Sequence, residues 1–365
     1  MIERRTLQSG FTTVLIIVLL FMGCVVVYIF YQNKFAGTDA VSQQDAATLA
    51  NSIEETRDTR QAEPFKELTI PYLRDRTYSS QLNERQLVSE SGSYTRYLTS
   101  YDSDGLKINA ILTIPKGTFP EGGWPAVVFI HGYIPPTLYE TTERYVSYVD
   151  YLARNGFVVL KIDLRGHGNS EGEASGAYFS GDYVIDTLNA SAALQSADFV
   201  NKDQVGLWGH SMAGNVVFRS IAAQPQIKAA VIWGGAVYSY QDLQEYGIND
   251  NSYRPPTQTS ERNRRREELF SKYGQFSPDS AFWKEVAPTN YLGDIKTAVQ
   301  LHHAVNDEVV SVEYARNLKR LLDSSSIEHE VYEYQSGGHD LEGSSFNLAM
   351  QRTVDFYKKH LKNIP

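Results

Sequence analysis

Between residues 125 and 334 the chain alternates short apolar runs with longer amphipathic stretches, and this alternation limits the fold more than any other feature. The runs 125–130, 157–162, 205–208, 229–233, 298–301 and 330–334 are rich in Val, Ile, Leu, Ala and aromatic residues. Runs of this length suit strands covered on both faces. Helical patterning fills about 140–154, 182–197, 213–223, 312–322 and 346–360. Strands that alternate with helices predict a mostly parallel sheet, clothed on both faces and joined by right-handed crossovers. The fold class is therefore α/β. Upstream, two runs of β-branched and aromatic residues within 94–115 flank Asp102-Ser103-Asp104-Gly105, which predicts an antiparallel hairpin turning at Asp-Gly.

The N-terminal part obeys different rules. Residues 11–31 carry no charge and are long enough to cross a hydrocarbon core as a helix. Arg4 and Arg5 precede the stretch and only Lys34 lies close after it, so the positive-inside rule leaves residues 1–10 cytoplasmic and exports the rest. A cleaved signal is the alternative: Phe21-Met22-Gly23-Cys24 faintly resembles a lipobox, but the apolar run continues past Cys24 and favours an uncleaved signal anchor. Residues 32–64 are polar, with few large apolar side chains, and read as a linker. Residues 65–365 read as one domain in the cell-membrane exterior, tethered by a single pass.

Composition excludes several functions. A net charge of −9 gives no support to nucleic-acid binding. The one dense basic cluster, Arg262, Arg264, Arg265 and Arg266, is followed by Glu267 and Glu268 and reads as a solvated helix face. Cys24 is the only cysteine, so no disulfide forms within the chain. The histidines show no zinc-binding spacing, and the adjacent His302 and His303 would point to opposite faces of a strand. Neither a metal nor another cofactor is expected.

The segment from about 238 to 292 breaks the alternation and is dense in aromatics, including Tyr238, Tyr240, Tyr246, Phe270, Tyr273 and Trp283. It reads as a helical insertion or lid. Most of its aromatics are expected to pack the insertion onto the domain, and a minority to line a substrate pocket.

The chemistry concentrates at Val205-Gly206-Leu207-Trp208-Gly209-His210-Ser211-Met212-Ala213-Gly214. An apolar strand runs into Gly-x-Ser-x-Ala and then into a helical pattern, the context a nucleophile elbow requires. A serine on so tight a turn needs small residues two before and two after it, here Gly209 and Ala213. The N–H of Met212 is one expected oxyanion donor. The second is the N–H of Tyr133, in the loop His131-Gly132-Tyr133 that follows an earlier strand. An acid and a base should follow the serine in that order. Asp307 lies in the loop after the strand at 298–301, and His339 lies in Ser336-Gly337-Gly338-His339-Asp340 after the next strand. Asp340 and Glu308 are the rival acids. In this assignment Ser211 attacks, His339 accepts its proton, and Asp307 orients the imidazole.

With these residues in hand, the chain from about 94 to 362 resembles the α/β-hydrolase superfamily, and within it the catalytic domain of prolyl-oligopeptidase-type (S9) serine peptidases. The resemblance rests on Asp163-Leu164-Arg165-Gly166-His167-Gly168-Asn169-Ser170, the segment around Ser211, Ala287-Pro288-Thr289-Asn290-Tyr291-Leu292, the Asp307 loop and the Gly337-Gly338-His339 loop. The Arg-Gly-His-Gly fragment is frequent across the superfamily and supports the fold more than the peptidase branch. Two features depart from the S9 pattern. The stretch before the hydrolase region is too short for the β-propeller of full-length S9 enzymes, and Ala304 stands where Gly is usual. The resemblance implies a serine hydrolase acting through an acyl-enzyme on small peptides or acyl esters, with carboxylesterase or acyltransferase chemistry as the alternative. A catalytically silent membrane-tethered scaffold is the alternative from another class; such relatives usually lose the serine or histidine, and this chain keeps both.

Overall fold

The computed structural model describes residues 64–249 and 261–361. The expected anchor at 11–31 and the linker up to residue 63 lie outside the described residues. Among the described residues no helix is long and apolar enough to cross a membrane.

Helix α1 (Ile70–Asp75) opens the domain, its first turn capped by the Thr69 hydroxyl, which accepts from the Tyr72 N–H. Strands β1 (Gln86–Glu90), β2 (Tyr94–Ser103) and β3 (Leu106–Pro115) follow as an antiparallel meander. The β2–β3 turn is Asp104-Gly105, with φ of +54° and +78°. Two successive positive φ values are the type I′ geometry that matches strand twist, which is why Asp-Gly marked the hairpin.

The alternating part runs β4 (Trp124–Ile130), α2 (Val146–Arg154), β5 (Val158–Ile162), α3 (Asp182–Gln195), β6 (Val200–His210), α4 (Ala213–Ala223) and β7 (Ala229–Trp233). The insertion contributes α5 (Tyr240–Tyr246), α6 (Glu261–Tyr273) and α7 (Ala281–Val286). The domain closes with β8 (Ala298–Ala304), α8 (Glu313–Asp323), β9 (His329–Tyr334) and α9 (Ser344–Leu361). The nine strands of the described residues join one sheet in the order β1-β2-β3-β5-β4-β6-β7-β8-β9. From β5 across to β9 every neighbour is parallel.

Strands β4, β5, β7 and β8 are buried on both faces, and side-chain alternation divides them between two cores, whereas β9, the outer strand, is only partly covered. In β4, Ala126, Val128 and Ile130 enter one core, and Val127 and Phe129 enter the other. In β7, Ala230 and Ile232 face the first, while Val231 and Trp233 face the second. The first core receives α1, α3 and α4 through residues such as Leu73, Leu188 and Val217, and the second receives α2 and α9 through Leu152 and Tyr357. Helix α4 is buried along its whole length, including Arg219, whose guanidinium donates to the carbonyls of Leu68, Ala177 and Ser180.

Two local differences from the sequence reading have physical causes. The helix expected from about residue 140 begins only at Val146, because Tyr139 and Thr141 are drawn to Asp163 and Tyr145 sits at φ +59°. Strand β1 carried no readable pattern because it is an exposed edge, with solvent on every one of its residues.

Candidate active site

The site is assembled where the parallel strands end. Strand β6 finishes at His210, Ser211 follows at φ +56°, and α4 starts at Ala213. A non-glycine residue held in that region stores about 1–3 kcal/mol of strain. Its surroundings hold it there: the Ser211 N–H donates to the Trp233 carbonyl at 3.0 Å, and the Ser211 carbonyl accepts from Gly214 at 2.9 Å and Ala236 at 3.2 Å. The small residues are needed sterically. A Cβ on Gly209 would lie 2.7 Å from Val217 Cγ2, closer than carbon atoms tolerate, and a tight 3.1 Å from the Ala213 Cβ.

The loop after β4 comes equally close. A Cβ on Gly132 would lie 3.1 Å from the Ser211 Cβ and 3.0 Å from the Tyr145 hydroxyl. The Gly132 N–H already donates to that hydroxyl at 3.0 Å, so it is committed within the protein. Tyr133, the next residue, lines the same cavity as Ser211. Met212 is the N-cap of α4, with no side chain capping the helix, at the end where backbone N–H groups lack intrahelical acceptors.

The loops after β8 and β9 bring the acid and the imidazole together. His339 Nδ1 lies 2.8 Å from Asp307 Oδ2. Asp307 Oδ1 accepts the N–H groups of Val309 and Val310, each at 2.9 Å, and His303 Nε2 lies 3.2 Å from Oδ2. Burial alone would raise the pKa of Asp307. Hydrogen bonds from His303, His339 and the Val310 amide outweigh it and hold the carboxyl well below the usual carboxylate range. An ionised Asp307 requires the proton of a neutral His339 to sit on Nδ1, which leaves Nε2 a lone pair. Neither rival acid is placed this way. Asp340 is largely exposed and lies 3.5 Å from His210 Nε2, and Glu308 is exposed on its loop.

Ser211 and His339 share the wall of a cavity of about 510 Å³, with Tyr133, Tyr145, Tyr148 and Phe346 as its aromatic lining. None of the insertion's described aromatics reaches it, which corrects the expectation that some would. They pack on one another, as with Tyr273 stacked on Phe282 at 3.8 Å, and onto the domain as most were expected to, as with Phe270 against Phe179 at 5.5 Å and Tyr238 against Phe218 at 5.8 Å. The basic cluster also departs from a uniformly solvated face. Arg265 turns inward to Glu67 and the Phe179 carbonyl, and Arg262 lies 5.4 Å from the Tyr133 ring. Only Arg264 and Arg266 project as expected.

Three neighbours of the site left little trace in the sequence. His303, which has no metal-binding spacing, is the second imidazole on Asp307. His210 stood as the variable position of Gly-x-Ser. Tyr145 lay inside a stretch read as plain helix. Among the described residues no cluster of His, Cys, Asp and Glu could hold a metal ion.

Comparison with known proteins agrees with this fold. The family described as "Serine aminopeptidase, S33" matches residues 125–251. The uncharacterized peptidase YtmA of Bacillus subtilis (strain 168) is 22% identical over 262 residues, covering 71% of this chain and 91% of that protein. Among solved structures, acetyl xylan esterase 1 from Thermoanaerobacterium sp. JW/SL YS485 superposes with a TM-score of 0.57 at 18% identity, covering 81% of this chain and 94% of the other. A Mycobacterium tuberculosis puromycin-hydrolyzing peptidase gives a TM-score of 0.58 at 19% identity, covering 76% of this chain and 41% of the other. The chain is a serine hydrolase with the α/β-hydrolase fold, resembling the S9-type peptidases.

Proposed function

We propose that the chain cleaves small peptides or acyl esters by covalent catalysis, with Ser211 as nucleophile, His339 as general base and Asp307 as the group that orients His339. One observation carries the reading: a serine strained at φ +56° lines the same cavity as an imidazole whose Nδ1 lies 2.8 Å from a buried carboxylate. In the first step His339 Nε2 takes the Ser211 proton as Oγ attacks the substrate carbonyl. The amides of Met212 and Tyr133 receive the oxyanion. His339 then protonates the leaving alcohol or amine, and water, activated by the same imidazole, releases the acid. Asp307 stays ionised throughout and stabilises the imidazolium. No step calls for a cofactor.

The two bond types differ in what the leaving group needs. An amine must be protonated as it departs, whereas an alkoxide from an activated ester leaves readily. The relatives include peptidases and esterases, so both substrates belong in the test. The full chain, extracted in detergent, is treated with a fluorophosphonate beside its Ser211→Ala variant, then assayed on p-nitrophenyl esters and aminoacyl anilides. The reading expects one adduct, on Ser211, and a loss of at least about 10³-fold in turnover in the variant. Equal labelling or equal turnover in Ser211→Ala would sink it.

The same proposal tethers the domain to the outer face of the cell membrane through residues 11–31. Support comes from the uncharged run and from Arg4 and Arg5 ahead of it. Alkaline extraction of membranes should leave the full chain in the pellet and release a chain lacking residues 1–31.

A further inference from the structure

His210 precedes the nucleophile, is 2% exposed, and plays no part in the mechanism above. Its ring nevertheless touches two other loops of the site. Nδ1 lies 2.8 Å from the Tyr145 hydroxyl, and Nε2 lies 3.0 Å from the main-chain carbonyl of His339. The Tyr145 hydroxyl in turn accepts the N–H of Gly132 at 3.0 Å.

The direction of each bond follows from what the end groups can do. A carbonyl only accepts, so His210 Nε2 carries a proton. In the neutral ring Nδ1 is then the acceptor, and the Tyr145 O–H donates to it. Gly132 N–H, Tyr145 O–H and His210 Nε2–H therefore form one directed chain that ends on His339. Burial, with the His339 ring 4.6 Å away, brings the pKa of His210 down to about 4, which keeps the ring neutral at physiological pH. Tyr145 reaches the chain from φ +59°, a conformation costly for a tyrosine and kept only where its surroundings demand it.

We infer that His210 is a positioning residue: its imidazole ties the loop after β4 and the loop that carries His339 to the strand end that carries Ser211. The three loops come from β4, β6 and β9, which are not all neighbours in the sheet. A side chain bonded to both outer loops sets the distance from oxyanion donors to base. This inference rests on the catalytic assignment proposed above.

The test uses the full chain and counts active sites by fluorophosphonate titration, so that kcat refers to folded, reactive enzyme. His210→Phe keeps ring volume and removes both bonds. It should lower kcat per titrated site by about 100-fold, the scale of a misalignment near 1 Å, with KM within about twofold. His210→Gln can restore the donor to the His339 carbonyl and should recover about tenfold of that loss. Tyr145→Phe removes one hydroxyl and should cost about tenfold, and it answers the question if His210→Phe does not fold. A merely structural role would lower the titre and leave kcat per site unchanged. That result in His210→Phe and Tyr145→Phe, or Gln behaving no better than Phe, overturns the inference. A wild type that neither labels on Ser211 nor loses turnover in Ser211→Ala refutes the catalytic assignment instead, and this is visible before any His210 variant is made.

Discussion

Asp163 and Asp307 are both buried aspartates just past the C-terminal end of a parallel strand, yet the protein drives their acidities in opposite directions. Burial raises Asp163 to about 6, against the opposing pull of Lys161 and of the Thr141 and Tyr139 hydroxyls. Burial also works to raise Asp307, but two imidazoles and two backbone amides converge on it and its pKa falls below the ordinary value. The difference lies in the donors. Asp163 receives two hydroxyls and sits near an ammonium whose own hydrogen bond goes to Tyr139, at 2.8 Å. Burial brings that ammonium down to about 8, with Asp163 opposing. Asp307 is held as an anion against the His339 ring. Asp163 anchors, through Tyr139 and Thr141, the segment that leads to Tyr145.

The comparison predicts a double dissociation. Asp307→Asn keeps an oxygen for the Val309 and Val310 amides but presents an N–H to His339 Nδ1, which favours the wrong tautomer. Its kcat should fall by about 10³–10⁴-fold with the fold retained. Asp163→Asn offers one oxygen where the Tyr139 and Thr141 hydroxyls each donate to their own, so one of them loses its acceptor, and stability should fall by about 1–3 kcal/mol at neutral pH. Its kcat per titrated site should stay within about tenfold of wild type. Urea unfolding beside titrated kinetics separates the two effects. If Asp163→Asn lost rate and kept stability, the two aspartates would have to exchange roles.

A smaller effect sharpens the same contrast through pH. Asp307 has a lowered folded pKa, so its contribution to stability is present above the unfolded value of about 3.9 and is lost as pH falls through the folded pKa. Asp163 has a raised folded pKa. Between about pH 4 and about 6 the folded state binds more protons there than the unfolded state, so this group makes stability fall as pH rises. The curves of wild type and Asp163→Asn should therefore differ in slope. Over that window the wild-type curve carries a downward component that the variant lacks. Equal slopes would mean that Asp163 titrates at its unperturbed value.

The two regions were unequally legible in the sequence, for a physical reason. Around Ser211 the backbone itself is extreme, and an extreme backbone restricts composition: Gly209 is visible because a Cβ there would strike Val217 and Ala213. The same holds for Asp104-Gly105, where two positive φ values select the residues. The buried parallel strands were legible because burial on both faces leaves a continuous apolar run. The Asp163 network was not, although Asp163 itself opens the Asp163-Leu164-Arg165-Gly166-His167-Gly168 motif. Its partners Tyr139 and Thr141 are ordinary residues made meaningful by a fold that brings distant segments together, and they displaced a helix start that periodicity had placed at 140. Arg165 in the same motif pairs with the buried Asp186 at 2.7 Å, which explains why Arg-Gly-His-Gly reports on fold more than on reaction. His210, Tyr145 and His303 were missed on the same ground, since a side chain that bridges loops leaves no period. The insertion misled in the opposite way. A minority of its aromatics were expected to line a pocket, and all those described pack on one another or on the domain.

The smallest effect concerns strain, which both regions also hold. Ser211 has φ +56°, and Leu164, directly after Asp163, has φ +58°. Replacement by glycine relieves the conformation in each case. It also makes the unfolded chain more flexible, at a cost of up to about 1 kcal/mol. At Ser211 the side chain is only half-buried, so strain relief and entropy are the main terms. Ser211→Gly should be more stable than Ser211→Ala by about 1 kcal/mol, with neither forming a phosphonate adduct. At Leu164 the side chain is fully buried, and its loss should cost about 2–4 kcal/mol, more than the strain it releases. Leu164→Gly should therefore be less stable than wild type, whereas Ser211→Gly gains stability over Ser211→Ala. Urea midpoints of the three variants decide the matter. If Ser211→Gly were no more stable than Ser211→Ala, the serine would not be strained, and the tight turn would be an ordinary feature of the chain instead of a conformation held for chemistry.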